Sequence, residues 1–327
     1  MCLPARREWR MRVLITGASG FVGSALMRRL SSRADVALLG VARRPLRLKN
    51  YRQIDLSRPF DLDYRPDVIV HAAALASPWA PRSEYRRHNV IATRNVIEFC
   101  KTHGYPRLVY LSSSSVFYRD EHQLGMTEET PIGPEFINDY AASKYAGEEL
   151  VSTYDGERVV LRPRAVFGAG DTVLFPRILR AARRGRLPLL VGQNGGAQGD
   201  LIYIDSLCDY IISAASQPNL APAYNLTNAQ PVVIQDFLND ILARLDVPQP
   251  SKPVRIETAM RAAAWVERLY RLLPFLGEPP VTRFGISVFA YSKTFDVALA
   301  LRDFGPPSVS LKEGVDRFIS WQRAQCS

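Results

Sequence analysis

Cysteine and histidine are scarce in this sequence, four of each in 327 residues. Cys2, Cys100, Cys208 and Cys326 lie far apart and form no CxxC pair, and the histidines are just as scattered. This spacing excludes a disulfide framework and a zinc site; no metal is expected, and a reducing, cytoplasmic compartment is. No apolar run reaches the roughly 18–20 residues that cross a bilayer. The first ten residues, MCLPARREWR, lack the apolar stretch of roughly 7–15 residues found in a signal peptide. They are read as an N-terminal extension, 1–10, and set aside from the fold. Low-complexity sequence is limited to Gly192–Gly199, expected to be a flexible turn.

What the chain does have is ordinary core-forming composition, 47% hydrophobic, and a net charge of +10. Much of the excess is local: ten arginines fall in the first fifty residues. They come without aromatic interleaving or zinc-finger spacing, so nucleic acid is not expected as a partner, and a small-molecule substrate is. Short apolar runs at Arg12–Thr16, Asp35–Ala42, Val68–Val70, Arg107–Ser112 and Arg158–Arg162 read as buried strands. Segments with helical spacing alternate with them at Phe21–Leu30, Asn89–Cys100 and Tyr140–Tyr154. That alternation predicts an α/β fold, a doubly wound parallel Rossmann sheet. Residues 11–175 are expected to form the dinucleotide-binding domain. Residues 176–327 are expected to form a smaller, mostly helical substrate lobe, interleaved with late Rossmann elements at about 201–228, a helix at Asp205–Ala215 and a strand at Ala223–Leu226.

The first strand ends in Gly17-Ala18-Ser19-Gly20-Phe21-Val22-Gly23. Glycines permit a tight turn and close approach to a pyrophosphate, and the helix that follows offers free N–H groups and a partial positive charge. The spacing is GxxGxxG, one residue longer than the commoner dinucleotide fingerprint. Where an acid would meet the adenosine ribose of NAD, this chain has Arg43 and Arg44 after the second strand. No carboxylate there repels a 2′-phosphate, so NADP is the expected cofactor, with NAD the alternative. Asp55 and Leu56 are placed at the adenine.

Tyr140-Ala141-Ala142-Ser143-Lys144 is a YxxxK pair, one helical turn apart on a shared face. A cationic Lys144 is expected to lower the Tyr140 phenol from its usual value near 10, so that it can exchange a proton with a substrate oxygen. Four serines, Ser112–Ser115, follow a strand upstream, and any of them could hold that oxygen.

These parts, in this order, resemble the short-chain dehydrogenase/reductase superfamily, in particular its extended branch of the NAD-dependent epimerase/dehydratase type. His71-Ala72-Ala73-Ala74 resembles the family's turn beside the cofactor, and Asn89-Val90, Thr93 and Asn95 the helix after it. Arg162-Pro163, Gly168 and Asp171 resemble its RPxxxxGxGD stretch. The resemblance implies Ser113 as the catalytic serine beside Tyr140 and Lys144, with Ala72, Ala73, Ala74, Asn89 and Pro163 lining the cofactor. The chain departs from the family pattern at Phe117-Tyr118, where Tyr-Gly is usual. The resemblance also allows a homodimer.

Within the family, nucleotide-sugar enzymes carry an asparagine and an arginine where this chain has Ala165 and Gly199, the latter followed by Asp200. A diphosphate would find little cationic help there. The stretch Pro279–Gly285 and then Ser292–Asp296 is similar to the 3β-hydroxysteroid dehydrogenase-like reductases. The expected activity is therefore NAD(P)-dependent interconversion of a ketone and a secondary alcohol on a hydrophobic or lipid-like molecule. A nucleotide-sugar epimerase or dehydratase is the alternative, and a non-catalytic NADP-binding sensor a further one. Met260, Ala264, Trp265, Leu269, Leu272, Leu273, Phe275 and Leu276 form an apolar stripe among arginines. It fits a lobe core, a lid, or a face in peripheral contact with a membrane.

Overall fold

A computed structural model describes residues 10–191 and 196–325. The expected N-terminal extension, apart from Arg10, lies outside the described residues, as do residues 192–195 of the expected glycine-rich turn.

In chain order the first half runs β1 (Met11–Thr16), α1 (Phe21–Ser31), β2 (Val36–Ala42), β3 (Tyr51–Gln53) and β4 (Val68–His71). It continues with α2 (Arg82–Tyr85), α3 (Ala92–Thr102), β5 (Arg107–Leu111), β6 (Gln123–Met126), α4 (Asp139–Ser152) and β7 (Arg158–Pro163). The second half has β8 (Val166–Phe167), α5 (Phe175–Arg183), β9 (Leu189–Val191), β10 (Gln198–Gly199), β11 (Ile202–Tyr203), α6 (Ile204–Ser216) and β12 (Ala223–Leu226). It ends with β13 (Val232–Val233), α7 (Ile234–Arg244), β14 (Pro253–Arg255), α8 (Ile256–Leu272), α9 (Arg283–Ala290), β15 (Lys293–Phe295), α10 (Ala298–Phe304) and α11 (Leu311–Ala324).

Seven strands form one parallel sheet in the order β12-β7-β5-β4-β1-β2-β3. Its strands are apolar on both faces because helices cover both. Successive side chains alternate between two cores. Val13, Ile15, Val70 and Val109 face the layer of α1 and α6, with Leu26, Leu207 and Ile211. Leu14, Ile69, Leu108 and Tyr110 face the layer of α3 and α4, with Val96, Cys100 and Val151. Helix α4 starts cleanly because the Asn138 side chain accepts the Ala141 N–H at 2.8 Å.

β12 joins the main sheet from the far half of the chain. Two differences from the sequence reading position the site. The helix expected from Asn89 begins instead as a π-helical turn, Arg86–Ile91, that leads into α3. The mostly helical region after 231 also contributes short strands. Short strands β13, β10, β15 and β6 form a second sheet, and β14 pairs with β9. Two- and three-residue strands give too few positions for a period-two pattern to register.

Candidate active site

The turn after β1 brings three backbones close together. Gly17 has φ 70°, and a Cβ on it would lie 2.7 Å from the Ala73 backbone. A Cβ on Gly23 would lie 2.2 Å from the Gly17 carbonyl oxygen. Only glycine allows both approaches. α1 starts with Gly20 at its cap position, no side-chain cap and no acid in its first turn. Its first N–H groups and positive dipole end are thus left for an anion. Phe21 is buried and Val22 half-buried, and the Ser19 side chain acts on the Tyr51 phenol beside the turn.

Arg43 and Arg44 leave β2 exposed to solvent. The Arg43 guanidinium lies 2.7 Å from Nε2 of His88, and the Arg44 carbonyl accepts the Tyr51 hydroxyl. Asp55 accepts the Ser57 N–H at 3.1 Å and lies 3.4 Å from Arg87. Leu56 is buried, and its carbonyl accepts the Asn95 amide at 2.8 Å.

His71, at the end of β4, is fully buried and closes a chain of hydrogen bonds. The Ala73 N–H donates to Thr16 Oγ1 (3.2 Å), which stands 2.7 Å from His71 Nδ1. His71 Nε2 stands 3.0 Å from Thr93 Oγ1, which donates to the Asn89 carbonyl (2.6 Å). Thr93 has spent its proton on Asn89, so it accepts from Nε2–H. Nδ1 then accepts from Thr16. One tautomer satisfies every group. Burial, reinforced by the charge of Lys144, holds the imidazole down at about 3, so it is neutral.

Asn89 sits in the π-helical turn, a local widening that often marks functional sites. Its side chain accepts the Leu75 N–H at 2.7 Å and donates to Ser143 Oγ at 2.8 Å. Ser143 in turn donates to the Tyr140 carbonyl at 2.7 Å. Asn89 thereby joins the Ala72–Leu75 turn to α4. Pro163 ends β7, half-buried, opposite Leu226.

Ser113 caps the 3₁₀ turn Ser114–Phe117, accepting the Ser115 N–H at 3.2 Å, and its hydroxyl acts on the Tyr140 phenol. The other serines have different partners. Ser112 donates to Glu148, and Ser114 lies 3.0 Å from the Tyr118 hydroxyl. Of the four serines, Ser113 is the one whose hydroxyl acts on the Tyr140 phenol. Lys144 is buried, with Nζ 4.2 Å from the centre of the Tyr110 ring.

The expected lowering of the Tyr140 phenol is not found. Burial pushes it up to about 12, partly offset by the hydrogen bond with Ser113. Burial also brings Lys144 down to about 7, against the pull of Glu148. A lysine so desolvated has lost much of the charge with which it was to stabilise the phenolate.

The sequence pattern of the NAD dependent epimerase/dehydratase family matches residues 13–228. The chain belongs to that family. It is an NAD(P)-dependent oxidoreductase of the family's short-chain dehydrogenase/reductase type. It is 37% identical over 325 residues to a protein of Stenotrophomonas maltophilia named 2-alkyl-3-oxoalkanoate reductase, covering 94% of this chain and 98% of that one. It is 29% identical to 3beta-hydroxysteroid-dehydrogenase/decarboxylase isoform 2 of Arabidopsis thaliana, over 97% of this chain and 63% of the plant protein. Among solved structures, MoeE5 in complex with UDP-glucose and NAD superposes with a TM-score of 0.72 at 25% identity, covering 97% of this chain and all of MoeE5.

Several residues of this family member's site escaped the sequence reading. Glu148 is buried, accepts Ser112, and pairs with buried Arg162 at 2.6 Å. Its position four residues after Lys144 was the available signal. The Tyr85 ring lies tilted 6.2 Å from that of Tyr140, and Tyr85 donates to the Ser77 carbonyl at 2.6 Å. No spacing rule points to it, because the four-residue helix α2 that carries it is too short to show a period. Arg164 lies under Tyr118, ring centre 5.2 Å away, and its guanidinium reaches within 3.5 Å of where a Gly199 Cβ would be. Asp200 is the acid that the sequence argument set against a diphosphate. It is buried, and its carboxylate accepts the Phe295 N–H at 2.9 Å, anchoring β15.

Proposed function

We propose that this enzyme prefers NADP(H) and reduces a ketone to a secondary alcohol, or the reverse, on a hydrophobic, lipid-like molecule such as a 3-oxoacyl chain. The observation that carries the reading is that the Ser113 hydroxyl acts on the Tyr140 phenol, with the buried Lys144 one turn further along α4. The names of the bacterial and plant relatives, one a 3-oxoalkanoate reductase and the other a hydroxysteroid dehydrogenase, support the substrate class.

The glycine cradle fits a dinucleotide: two positions where any Cβ would strike backbone, beside an uncapped helix start. Gly17, Ser19, Gly20, Phe21, Val22 and Gly23 would hold the pyrophosphate. Asp55 and Leu56 would meet the adenine, and Ala72, Ala73, Ala74, Asn89 and Pro163 the nicotinamide half. Arg43 and Arg44, cationic and exposed where a ribose-binding acid is usual, favour a 2′-phosphate. When bound, the dinucleotide supplies or takes the reducing equivalent at the substrate carbon. In reduction, Tyr140 gives its phenolic proton to the carbonyl oxygen, and Ser113 holds that oxygen by a hydrogen bond. A phenol held near 12 stays protonated at neutral pH, ready as a donor. Lys144 serves as the neighbouring charge, balanced near half-protonation at pH 7. Glu148, through its pairing with Arg162, positions the α4 end of the site.

The nucleotide-sugar alternative shares the fold of MoeE5 but lacks a cationic subsite here. Ala165 and Gly199 offer no amide or guanidinium, and Arg164 in their place is only 5% exposed under Tyr118. The division at about residue 175 and a cytoplasmic location belong to the same proposal, the latter supported by the free, buried thiols of Cys100 and Cys208.

The test is oxidation of NADPH and NADH, followed by absorbance, with a panel of 3-oxoacyl and 3-oxosteroid ketones. Turnover faster with NADPH than with NADH, and reduced about a hundredfold or more in Tyr140→Phe, is expected. Cofactor binding without net oxidation on any ketone, together with turnover of a nucleotide sugar, would overturn it.

A further inference from the structure

Among the described residues, ten large hydrophobic side chains are exposed, and five of them fall in one stretch: Trp265, Leu269, Leu272, Phe275 and Leu276. Leu272 and Phe275 are 79% and 81% exposed, far beyond what a core or a closed lid would leave. The first three stand at helical spacing i, i+4, i+7 along α8, and the last two follow in the short turn Pro274–Leu276. α8 packs on its opposite side, through Ile256, Ala259 and Ala263. One face of a 17-residue helix is therefore apolar and turned outward. The expectation of a lobe core at 260–276 holds for the inner face only.

The outward face is flanked by cations. Arg261, Arg268 and Arg271 are exposed, and Arg268 lies over the Trp265 ring at 5.5 Å. The combination of Trp, Phe and Leu with arginines along one edge is what a helix needs to lie in a headgroup layer: apolar groups enter the acyl boundary and guanidiniums meet phosphates. No described helix is long and apolar enough to cross a membrane, so this one would lie flat.

The surface also has a fixed relation to the site. Arg271 lies over the Trp79 ring at 5.5 Å, in the loop that continues from the Ala72–Leu75 turn. Glu278, just past the apolar turn, pairs with Arg177 of α5 at 3.2 Å, and both charges act on Tyr85, the neighbour of Tyr140. The patch thus rims the mouth of the site rather than its back.

We propose that α8 and the Pro274–Leu276 turn dock this enzyme on an anionic lipid surface, with the mouth of the site held at the bilayer. The docking stands on the surface itself. Only its use, taking an apolar ketone from the membrane without passage through water, rests on the proposed reaction.

The experiment is co-sedimentation of the full chain with vesicles of phosphatidylcholine alone, or with about 30% phosphatidylglycerol, at low and high salt. Binding to the anionic vesicles, weakened by salt, is expected. Leu272→Ser with Phe275→Ser should lower the partition about tenfold or more, as should Arg261→Gln with Arg268→Gln and Arg271→Gln. Because all five side chains are exposed, unchanged circular dichroism is expected and checks the fold. No binding by the unaltered chain, or equal binding by the Ser variant, overturns the proposal. A dimer in ultracentrifugation that the Ser variant converts to monomer, without vesicle binding, overturns it in favour of a second copy on that face. Turnover of a short, water-soluble ketone by the same proteins is read separately. Its absence counts against the reaction and leaves the vesicle result standing.

Discussion

His71 shows how one side chain can govern both a site and its pH limits. Its two nitrogens are fully used by Thr16 and Thr93, and its burial holds it neutral with a pKa of about 3. In the unfolded chain the same imidazole titrates near 6.5. The unfolded state therefore binds the proton first on acidification. The stability conferred by neutral His71 is complete above about pH 6.5 and is lost as pH falls toward 3, at up to ~1.4 kcal/mol per pH unit. Urea unfolding at pH 7 and pH 5 measures this loss. His71→Gln, which cannot titrate, should lose clearly less than the unaltered chain over that interval; equal losses would assign the acid sensitivity to other groups.

At the scale of elements, the turn between β1 and α1 depends on how closely α1 approaches it. Gly23→Ala would bring a methyl within 2.2 Å of the Gly17 carbonyl, so α1 must shift away from the turn. Dinucleotide affinity, read by fluorescence titration, should fall at least about tenfold, and the melting temperature should fall with it. Gly→Ala inside a helix would otherwise stabilise it by roughly 0.5–1 kcal/mol, so a rise in stability would sink this account. Much of this element logic was legible in the sequence. The glycine spacing, the YxxxK pair and the strand–helix alternation each report a local period or a local backbone demand, and the alternation appears as the parallel sheet with its helices. Ser113 needed the family pattern, because four adjacent serines are chemically alike until their partners are known. Tyr85, Glu148 and Arg164 were missed for a different reason. Glu148 shares a helix face with Lys144, but its partner Arg162, like the partners of Tyr85 and Arg164, comes from another element, which sequence spacing does not encode. The charge relation between Lys144 and Tyr140 was misread because a motif carries no information about burial.

At the scale of the molecule, the two halves share one core. Phe318 of α11 is fully buried, with its ring 4.6 Å from Phe175 and 6.3 Å from Phe167. The ring of Tyr224 of β12 packs, tilted, 4.5 Å from that of Phe304 of α10. A chain so cross-packed should unfold in a single transition, with far- and near-ultraviolet circular dichroism coincident. Phe318→Ala should lower the stability of the whole by about 3–5 kcal/mol, without releasing a separate C-terminal phase. Two resolved transitions would instead support independent lobes.

The second sheet carries the same lesson into inheritance. Its edge strand β6 comes from between Ser113 and Tyr140, while β10, β13 and β15 come from beyond residue 175. A single crossover at that boundary would pair one parent's β6 with another parent's β15. Exchange of the substrate lobe between relatives would therefore require a second, internal exchange spanning 123–126, or a matched register there. Specificity in this enzyme is expected to have changed through substitutions within the lobe more readily than by swapping it whole.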